Sequence, residues 1–218
     1  MSKLFEKIKY QGKKLYNRLT LRNKNMSIIC SCCIGGMLYH DFRLKFLSPT
    51  INLILSPEHF IKFCGNLNHY LNTELVEIKY DDIKDDLYVK NHFPNGIYCP
   101  IGKLDDIYVL FIHYDSFQQA KEKFIERAKR INFDNIFLIL FDEAEDIEIL
   151  EAFDNLDYKN KLYMVRSDYL SKDMINKISC KYFPFDTQNE NKTYFDNVNG
   201  KIEKCYEKFD FKNWFNNN

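Results

Sequence analysis

The stretch NIFLILFD (135–142) decides the fold, because six consecutive apolar residues stand between its Asn and its Asp. A strand that is apolar throughout is typical of a parallel sheet covered on both faces. Shorter apolar runs predict further strands at MSIIC (26–30), TINLIL (50–55), VEIKY (76–80), IYVLFIHY (107–114) and KLYMVRS (161–167). Helical patterns alternate with these strands, so we expect an α/β fold, a three-layer α/β/α sandwich around a mostly parallel sheet.

Helix signals fill most of the gaps between the predicted strands. The predicted helices at 56–75 and 116–131 begin with Ser56 and Ser116. The hydroxyl of each serine can accept a hydrogen bond from a backbone N–H in the first helical turn. Residues 81–106 are predicted as a long polar loop, and a loop of that length in a compact domain is usually functional or mobile. The predicted helices span 56–75, 116–131, 146–156 and 172–178.

The composition indicates one folded body with an appendage at each end. The chain has 218 residues, of which 45% are hydrophobic and 16% aromatic, and these values are typical of a globular domain. We divide it into a helical arm (1–25), an α/β domain (26–182) and a C-terminal segment (183–218). That last segment is predicted to end in a helix that contains Ile202, Tyr206, Phe209 and Trp214.

The cysteines and the apolar runs predict a cytoplasmic protein. Seven cysteines are scattered without a disulfide-like spacing, so we expect reduced thiols. No apolar run is long enough to cross a bilayer, and the first residues lack the apolar core of a secretory signal.

A net charge of zero conceals a basic arm on an acidic body. Residues 1–24 contain eight Lys or Arg and one Glu, which leaves 23 basic and 30 acidic groups in the rest of the chain. That balance does not predict a nucleic-acid-binding domain. The arm's apolar stripe suits either an anionic membrane surface or packing on its own domain or on a second copy, as in a homo-oligomer. The stripe comprises Leu4, Ile8, Leu15 and Leu19.

Candidate site residues follow the predicted strands, because open α/β sheets bind ligands beyond the carboxyl ends of their strands. This position makes several of them candidates for holding a cofactor. They are Ser31, Cys32, Gly35, Gly36, Ser56 and Arg166.

The stretch CSCCIGG (30–36) offers a nucleophile at a strand-to-helix turn. A helix N-terminus lowers the pKa of a thiol, so Cys33 or its neighbour Cys32 is a candidate nucleophile. The glycine amides would face an oxyanion or a phosphate. His40 lies about 10 Å along a helix from Cys33, so His113, from another strand end, is the better candidate base. Close packing of small residues explains the same turn equally well.

His40 and Asp41 form a second candidate acid/base pair, or a histidine and carboxylate that hold a turn. We predict no metal site, because the cysteines at 30–33 have no second pair at zinc spacing. The acidic stretch FDEAEDIEILEAFD (141–154) suits a glycosyltransferase, in which carboxylates hold a metal on a nucleotide sugar. The usual explanation of such a stretch is a solvated helix with acidic residues in its first turn.

Three ordered blocks carry a resemblance to a known family. The blocks are CCIGGMLYHDF (32–42), YCPIGKLDDI (98–107) and FIHYDSFQQAKEKFIERAKRINFDNIFLILFD (111–142). They resemble the bacterial exopolysaccharide-biosynthesis family known as domain of unknown function nineteen-nineteen, and Cys33 takes the position of the cysteine in that family's early block. The resemblance implies a three-layer α/β/α fold and a role in capsule or other surface-polysaccharide synthesis, without an established reaction. The turn is also similar to that of polysaccharide acetyltransferases that bind coenzyme A.

The first functional hypothesis is therefore an acyltransferase that uses acyl-coenzyme A to modify a glycan or its lipid-linked sugar precursor. Cys33 or Ser31 would be the nucleophile or orient the donor, and His113 or His40 would be the base. The arm would hold the enzyme at the inner face of the bacterial membrane. A glycosyltransferase that uses a nucleotide sugar, and a non-enzymatic membrane-associated assembly subunit, are the alternatives.

Overall fold

The computed structural model describes residues 3–143, 145–184, 195–198 and 201–218. The helices are α1 (Lys3–Thr20), α2 (Ile34–Asp41), α3 (Pro57–Gly65), α4 (Leu67–Asn72), α5 (Leu87–His92), α6 (Phe117–Ala128), α7 (Ile147–Asp154), α8 (Lys172–Ile175) and α9 (Phe211–Asn216). The strands are β1 (Ser27–Cys30), β2 (Val76–Ile78), β3 (Ile101–Leu104), β4 (Ile107–Leu110), β5 (Ile136–Asp142), β6 (Asn160–Val165), β7 (Lys181–Pro184), β8 (Phe195–Val198) and β9 (Lys201–Lys204).

The central sheet has the strand order β1-β5-β6-β7, and its neighbouring strands are parallel. Ile29 pairs with Leu138, and Leu140 pairs with Tyr163. Every residue of β1, β5 and β6 is buried, as the long apolar run predicts. The prediction of an α/β fold is confirmed.

Alternate residues of β5 point to two separate apolar clusters. Leu138 and Leu140 pack with residues of α3, α6 and α7, whereas Phe137 and Ile139 pack with residues of α2 and α9. Burying one such side chain contributes roughly 1.5–3 kcal/mol, so both faces of the strand are strongly held. Helices therefore cover both faces of the central sheet.

A second, antiparallel sheet in the order β2-β3-β4 corrects two predictions. The polar loop expected at 81–106 contains α5 and β3, and the strand expected at 107–114 pairs with β3 instead of the central sheet. Leu104 pairs with Ile107 across a two-residue turn, in which Asp105 has a φ of 55°. Aspartate tolerates this left-handed conformation because its short side chain can hydrogen-bond locally.

The prediction of a strand at 50–55 is wrong, because the segment forms only one β-bridge, between Ile54 and Leu110. Asn52 has a φ of 62°, which interrupts extended backbone. The segment instead bonds to the edge of β1 through a side chain, since the Cys30 N–H donates to Thr50 Oγ1 at 3.0 Å.

The predicted helix at 56–75 exists as α3 and α4, separated at Asn66, which has a φ of −140°. Both predicted serine caps are present. Ser56 Oγ accepts from the His59 N–H, and Ser116 Oγ accepts from the Gln119 N–H.

The C-terminal helix is shorter than predicted, because a 3₁₀ turn (Cys205–Lys208) precedes it. Of the predicted members only Trp214 lies in α9, where its ring packs edge-on against Phe137. Tyr206 lies in the 3₁₀ turn and Ile202 in β9. Residues 185–194, 199 and 200 lie outside the described residues, and the division of the chain into three segments stays a prediction.

The predicted arm forms α1, which packs on its own body. The Tyr10 hydroxyl donates to Asp41 Oδ1 at 2.9 Å, and Lys13 Nζ lies 2.5 Å from Glu207 Oε2. Among the helices of the described ranges, none is both long enough and apolar enough to span a bilayer.

Candidate functional site

A cavity of about 460 Å³ opens at the carboxyl edge of the central sheet. Crevices at this edge are where open α/β sheets bind ligands, and its volume suits a small molecule. We call it the edge cavity. The ends of β1 and β5, the first turns of α3 and α7, and α5 contribute its residues, which include Ser31, Cys32, Glu58, Tyr88, His92, Phe141, Asp142, Glu143 and Asp146.

Helix α5 presents Tyr88 and His92 to this cavity, one helical turn apart. Their rings stack with centroids 4.1 Å apart, and His92 Nδ1 lies 2.9 Å from the Tyr88 carbonyl oxygen. Because a carbonyl only accepts hydrogen bonds, we assign a hydrogen to Nδ1. Nε2 then remains as the basic position of the neutral ring.

Glu143 meets that second nitrogen. Its Oε2 lies 3.3 Å from His92 Nε2, and its Oε1 accepts a hydrogen bond from Arg166. Burial raises the pKa of the Glu143 carboxyl, but the hydrogen bonds from Nε2 of the protonated His92 ring and from Arg166 outweigh burial and lower it below its usual value. Glu143 is therefore ionised at neutral pH. Burial and the Glu143 charge together raise the pKa of the Tyr88 hydroxyl, which stays protonated.

Asp142, the candidate metal or sugar ligand of a glycosyltransferase, is engaged in holding the fold. Its Oδ2 accepts from the Tyr163 hydroxyl at 2.5 Å and from the Asp146 N–H at 2.9 Å. These bonds fix the start of α7 against β6. Among the described residues, no group of three or more His, Cys, Asp or Glu side chains is arranged to hold a metal ion.

A second depression, of about 360 Å³, brings together the four predicted catalytic residues Cys33, His40, Asp41 and His113. We call it the cysteine depression. The His40 ring contacts Lys14 Nζ, the Asp41 carboxylate bonds to Tyr10 and Lys204, and His113 is exposed.

Cys33 is buried, with only 6% of the residue exposed. Burial, and then the neighbouring Cys32, raise its pKa to about 12. The nucleophilic form of cysteine is the thiolate, so burial outweighs the activation expected from the N-terminus of α2. Whether Cys33 acts in a reaction stays a prediction.

Gly35 is needed for close packing inside the turn. A Cβ placed on it would lie 2.7 Å from Cys30 Cβ, and its N–H is directed at the Cys30 sulfur. An amide that serves a buried thiol does not face a ligand phosphate. The Gly35 amide therefore does not serve as a phosphate cradle, and the binding of coenzyme A stays a prediction.

Asp41 joins three segments of the chain. Its carboxylate accepts from the Tyr10 and Tyr206 hydroxyls, each at 2.9 Å, and from Lys204 Nζ at 2.6 Å. Burial raises the pKa of this carboxyl, but these hydrogen bonds, led by Lys204, lower it below its usual value. Lys14 Nζ lies 3.8 Å away. The bonds tie α1 and the C-terminal segment to α2.

The other predicted residues divide between the cavity and the packing. Ser31 lines the edge cavity but accepts from the Phe141 N–H at 3.0 Å, and Ser56 caps α3. The Arg166 guanidinium donates a hydrogen bond to Glu143 Oε1. Tyr88 and His92 were missed because their helix was predicted as a loop. The spacing Tyr-x-x-x-His, which places two residues on one helix face, was the available signal.

Fold and cavity define an α/β protein with a ligand-sized cavity at the carboxyl edge of a parallel sheet. The chain belongs to the family described as Domain of unknown function (DUF1919), which it matches over residues 4–216. This match extends beyond the segment on which the resemblance was recognised. The chain is also 31% identical, over 199 residues, to a Haemophilus influenzae protein named "Uncharacterized protein", covering 90% of this chain and 86% of that protein.

Proposed function

We propose that this protein is a group-transfer enzyme of surface-polysaccharide biosynthesis that holds a glycan, or its lipid-linked precursor, in the edge cavity. The resemblance noted in the sequence supports the pathway. The contents of the cavity support the chemistry, because the aromatic side chains of Tyr88 and Phe141 line it together with the carboxylates of Glu58, Glu143 and Asp146. Aromatic rings cover the apolar faces of a ligand, and carboxylates accept hydrogen bonds from its hydroxyls.

The observation that carries the proposal is the contact between His92 Nε2 and Glu143 Oε2 at 3.3 Å. With Nδ1 directed at a carbonyl, Nε2 is the nitrogen that can take a proton. A sugar hydroxyl that reached Nε2 would also lie near Glu143. The neutral ring would accept the hydroxyl proton at Nε2 while the hydroxyl oxygen bonds to the acyl carbon of the donor, which is general base catalysis. The bond between that carbon and the donor's leaving group breaks, and the leaving group departs with the electron pair and takes up the proton from His92, whose protonated ring Glu143 stabilises.

Acyl transfer is the reaction we propose first, with His92 in the role that the sequence suggested for His113. Acyl-coenzyme A stays the proposed donor, although the Gly35 turn does not support its binding. Glycosyl transfer is the second candidate, and the acidic lining of the edge cavity favours it. We further propose that the protein works in the cytoplasm, at the inner face of the bacterial membrane, where lipid-linked precursors would be available.

Thermal unfolding of the purified protein in a ligand panel tests the proposal. The panel contains coenzyme A, acetyl-coenzyme A, and UDP-, GDP- and CDP-linked sugars with and without Mn²⁺. A ligand at about 100 times its dissociation constant stabilises the folded state by about 2.7 kcal/mol. A shift with acetyl-coenzyme A supports acyl transfer, and a metal-dependent shift with a nucleotide sugar supports glycosyl transfer.

His92→Gln and His113→Gln form a matched pair of variants for this panel. The first changes the edge cavity and should reduce the shift, whereas the second changes the cysteine depression and should leave it unchanged. The opposite pattern would move the site to the cysteine depression. No shift with any of these ligands would contradict the enzyme and favour the non-enzymatic assembly subunit.

A further inference from the structure

Helix α1 is turned the opposite way from an ordinary surface helix. Surface helices direct their apolar stripe toward the core. In α1 the side chains that face the body include Tyr10 and Lys14, and Lys14 is only 4% exposed. The apolar side chains face solvent, and Ile8 and Leu19 are 61% and 70% exposed.

The exposed apolar side chains lie on one face of α1, which we call the arm stripe. It comprises Phe5, Ile8, Leu15, Tyr16 and Leu19. At about 100° per residue these positions fall within a sector about 100° wide, with Gly12 near its centre. A Cβ placed on Gly12 would meet no atom within 4 Å. The side chain of Leu4, predicted for the same stripe, lies outside the described residues.

Hydrogen bonds hold the arm stripe in this orientation. Turning it inward would break the contacts of Tyr10 and Lys14 with Asp41 and the Lys13–Glu207 ion pair. The exposed apolar surface is therefore presented by a helix that the body holds in place.

The positive charge of residues 1–24 indicates which kind of partner covers the arm stripe. Lys9, Arg22 and Lys24 are exposed in the same segment, and residues 1–24 carry eight cations against one carboxylate. Two such arms would repel each other, which disfavours a second copy. An anionic lipid surface attracts the cations and takes up the apolar side chains at the boundary of headgroups and acyl chains.

We infer that α1 docks on an anionic lipid bilayer, lying in the plane of the interface with the arm stripe inserted. This inference rests on the location that we propose for the protein and is independent of the reaction. The body remains in the aqueous phase, since outside residues 1–24 acidic groups exceed basic ones, 30 to 23.

Co-sedimentation with vesicles tests the docking, using phosphatidylglycerol/phosphatidylcholine and pure phosphatidylcholine vesicles. We expect binding to the anionic vesicles that weakens at high salt. The double variant Ile8→Ser/Leu19→Ser should bind about 30-fold more weakly, because two apolar side chains no longer insert. Val76→Ser/Phe133→Ser removes exposed apolar side chains elsewhere and should bind like the natural protein.

Two substitutions of Gly12 distinguish the effect of apolar insertion on vesicle binding from the effect of a more stable helix. Gly12→Leu adds an apolar side chain to the middle of the stripe, and Gly12→Ala raises helix propensity without it. We expect Gly12→Leu to bind more tightly than Gly12→Ala.

Three results would overturn the docking: no sedimentation with either vesicle, equal binding of the Ile8→Ser/Leu19→Ser variant, or a dimer in ultracentrifugation that this variant converts to monomer. The last would assign the stripe to a second copy. The ligand panel uses soluble ligands without vesicles, so failure of one proposal leaves the other standing.

Discussion

The edge cavity and the cysteine depression contain similar residue types but use them differently. Each has a histidine and a carboxylate at its surface. In the edge cavity, His92 and Glu143 contact each other. In the cysteine depression, His40 contacts Lys14, and Asp41 bonds to Tyr10, Tyr206 and Lys204.

Reactive residue types that cluster in a cavity therefore form a candidate site only when they make hydrogen bonds to one another. Asp41 is nearer to Cys33 in the sequence than Glu143 is to His92. Even so, Asp41 serves to join α1, α2 and the C-terminal segment. Substitutions and pH can distinguish a carboxylate that holds the fold from a pair that can transfer a proton.

Asp41→Ala should produce the largest change in stability. It would leave the buried Lys14 and the half-buried Lys204 without their carboxylate, and two tyrosine hydroxyls without their acceptor. Removing one partner of a buried ion pair costs about 3–5 kcal/mol. Urea unfolding measures this loss.

Asp134→Ala is the matched control, because Asp134 is exposed and such changes stay within about 0.5 kcal/mol. If Asp41→Ala unfolded at the same urea concentration as the natural protein but lost activity, Asp41 would be catalytic and the contrast between the two regions would fail.

Acid should weaken the contacts that Asp41 makes with Tyr10, Lys204 and Tyr206. Hydrogen bonds led by that of Lys204 hold the pKa of Asp41 below its usual value despite burial. A carboxyl whose pKa is lowered in the folded state adds stability above its unfolded pKa of about 3.9, and this is lost as pH falls through the folded pKa. The difference in unfolding free energy between the natural protein and Asp41→Asn should therefore be full at pH 6 and shrink by pH 3. A constant difference across this range would show that the charge of Asp41 is not involved.

Cys33→Ala should have the smallest effect. Its thiol is buried and has a pKa raised to about 12, so we expect slow alkylation by iodoacetamide at pH 7.5 in the folded protein. The variant should keep its ligand-induced thermal shift. Rapid modification of Cys33, identified by mass spectrometry and accompanied by loss of that shift, would return the cysteine depression to the centre of the function.

The sequence was sufficient to predict the central layers and insufficient to predict the partners of the site residues. The run 136–141 and the caps Ser56 and Ser116 encode their structure locally, so they were predictable. Helix α5 was missed because six residues with mixed polarity give little periodicity. The contact of His92 with Glu143 joins positions 51 residues apart, and no local pattern reports such a pairing.

The arm shows the same limit. Its amphipathic pattern was visible in the sequence, but the side of α1 that faces the body depends on Asp41, which lies in another helix. Periodicity identifies an apolar stripe. Long-range hydrogen bonds determine where that stripe points.

NMR of the histidine side chains can locate a bound ligand in the edge cavity. The chain has five histidines, of which His92 lines the edge cavity and His40 and His113 line the cysteine depression. Titration with the panel ligand that gives the largest thermal shift should move the ring signals of His92 and leave those of His40 and His113 unchanged. Movement of His40 and His113 with His92 unaffected would contradict the claim.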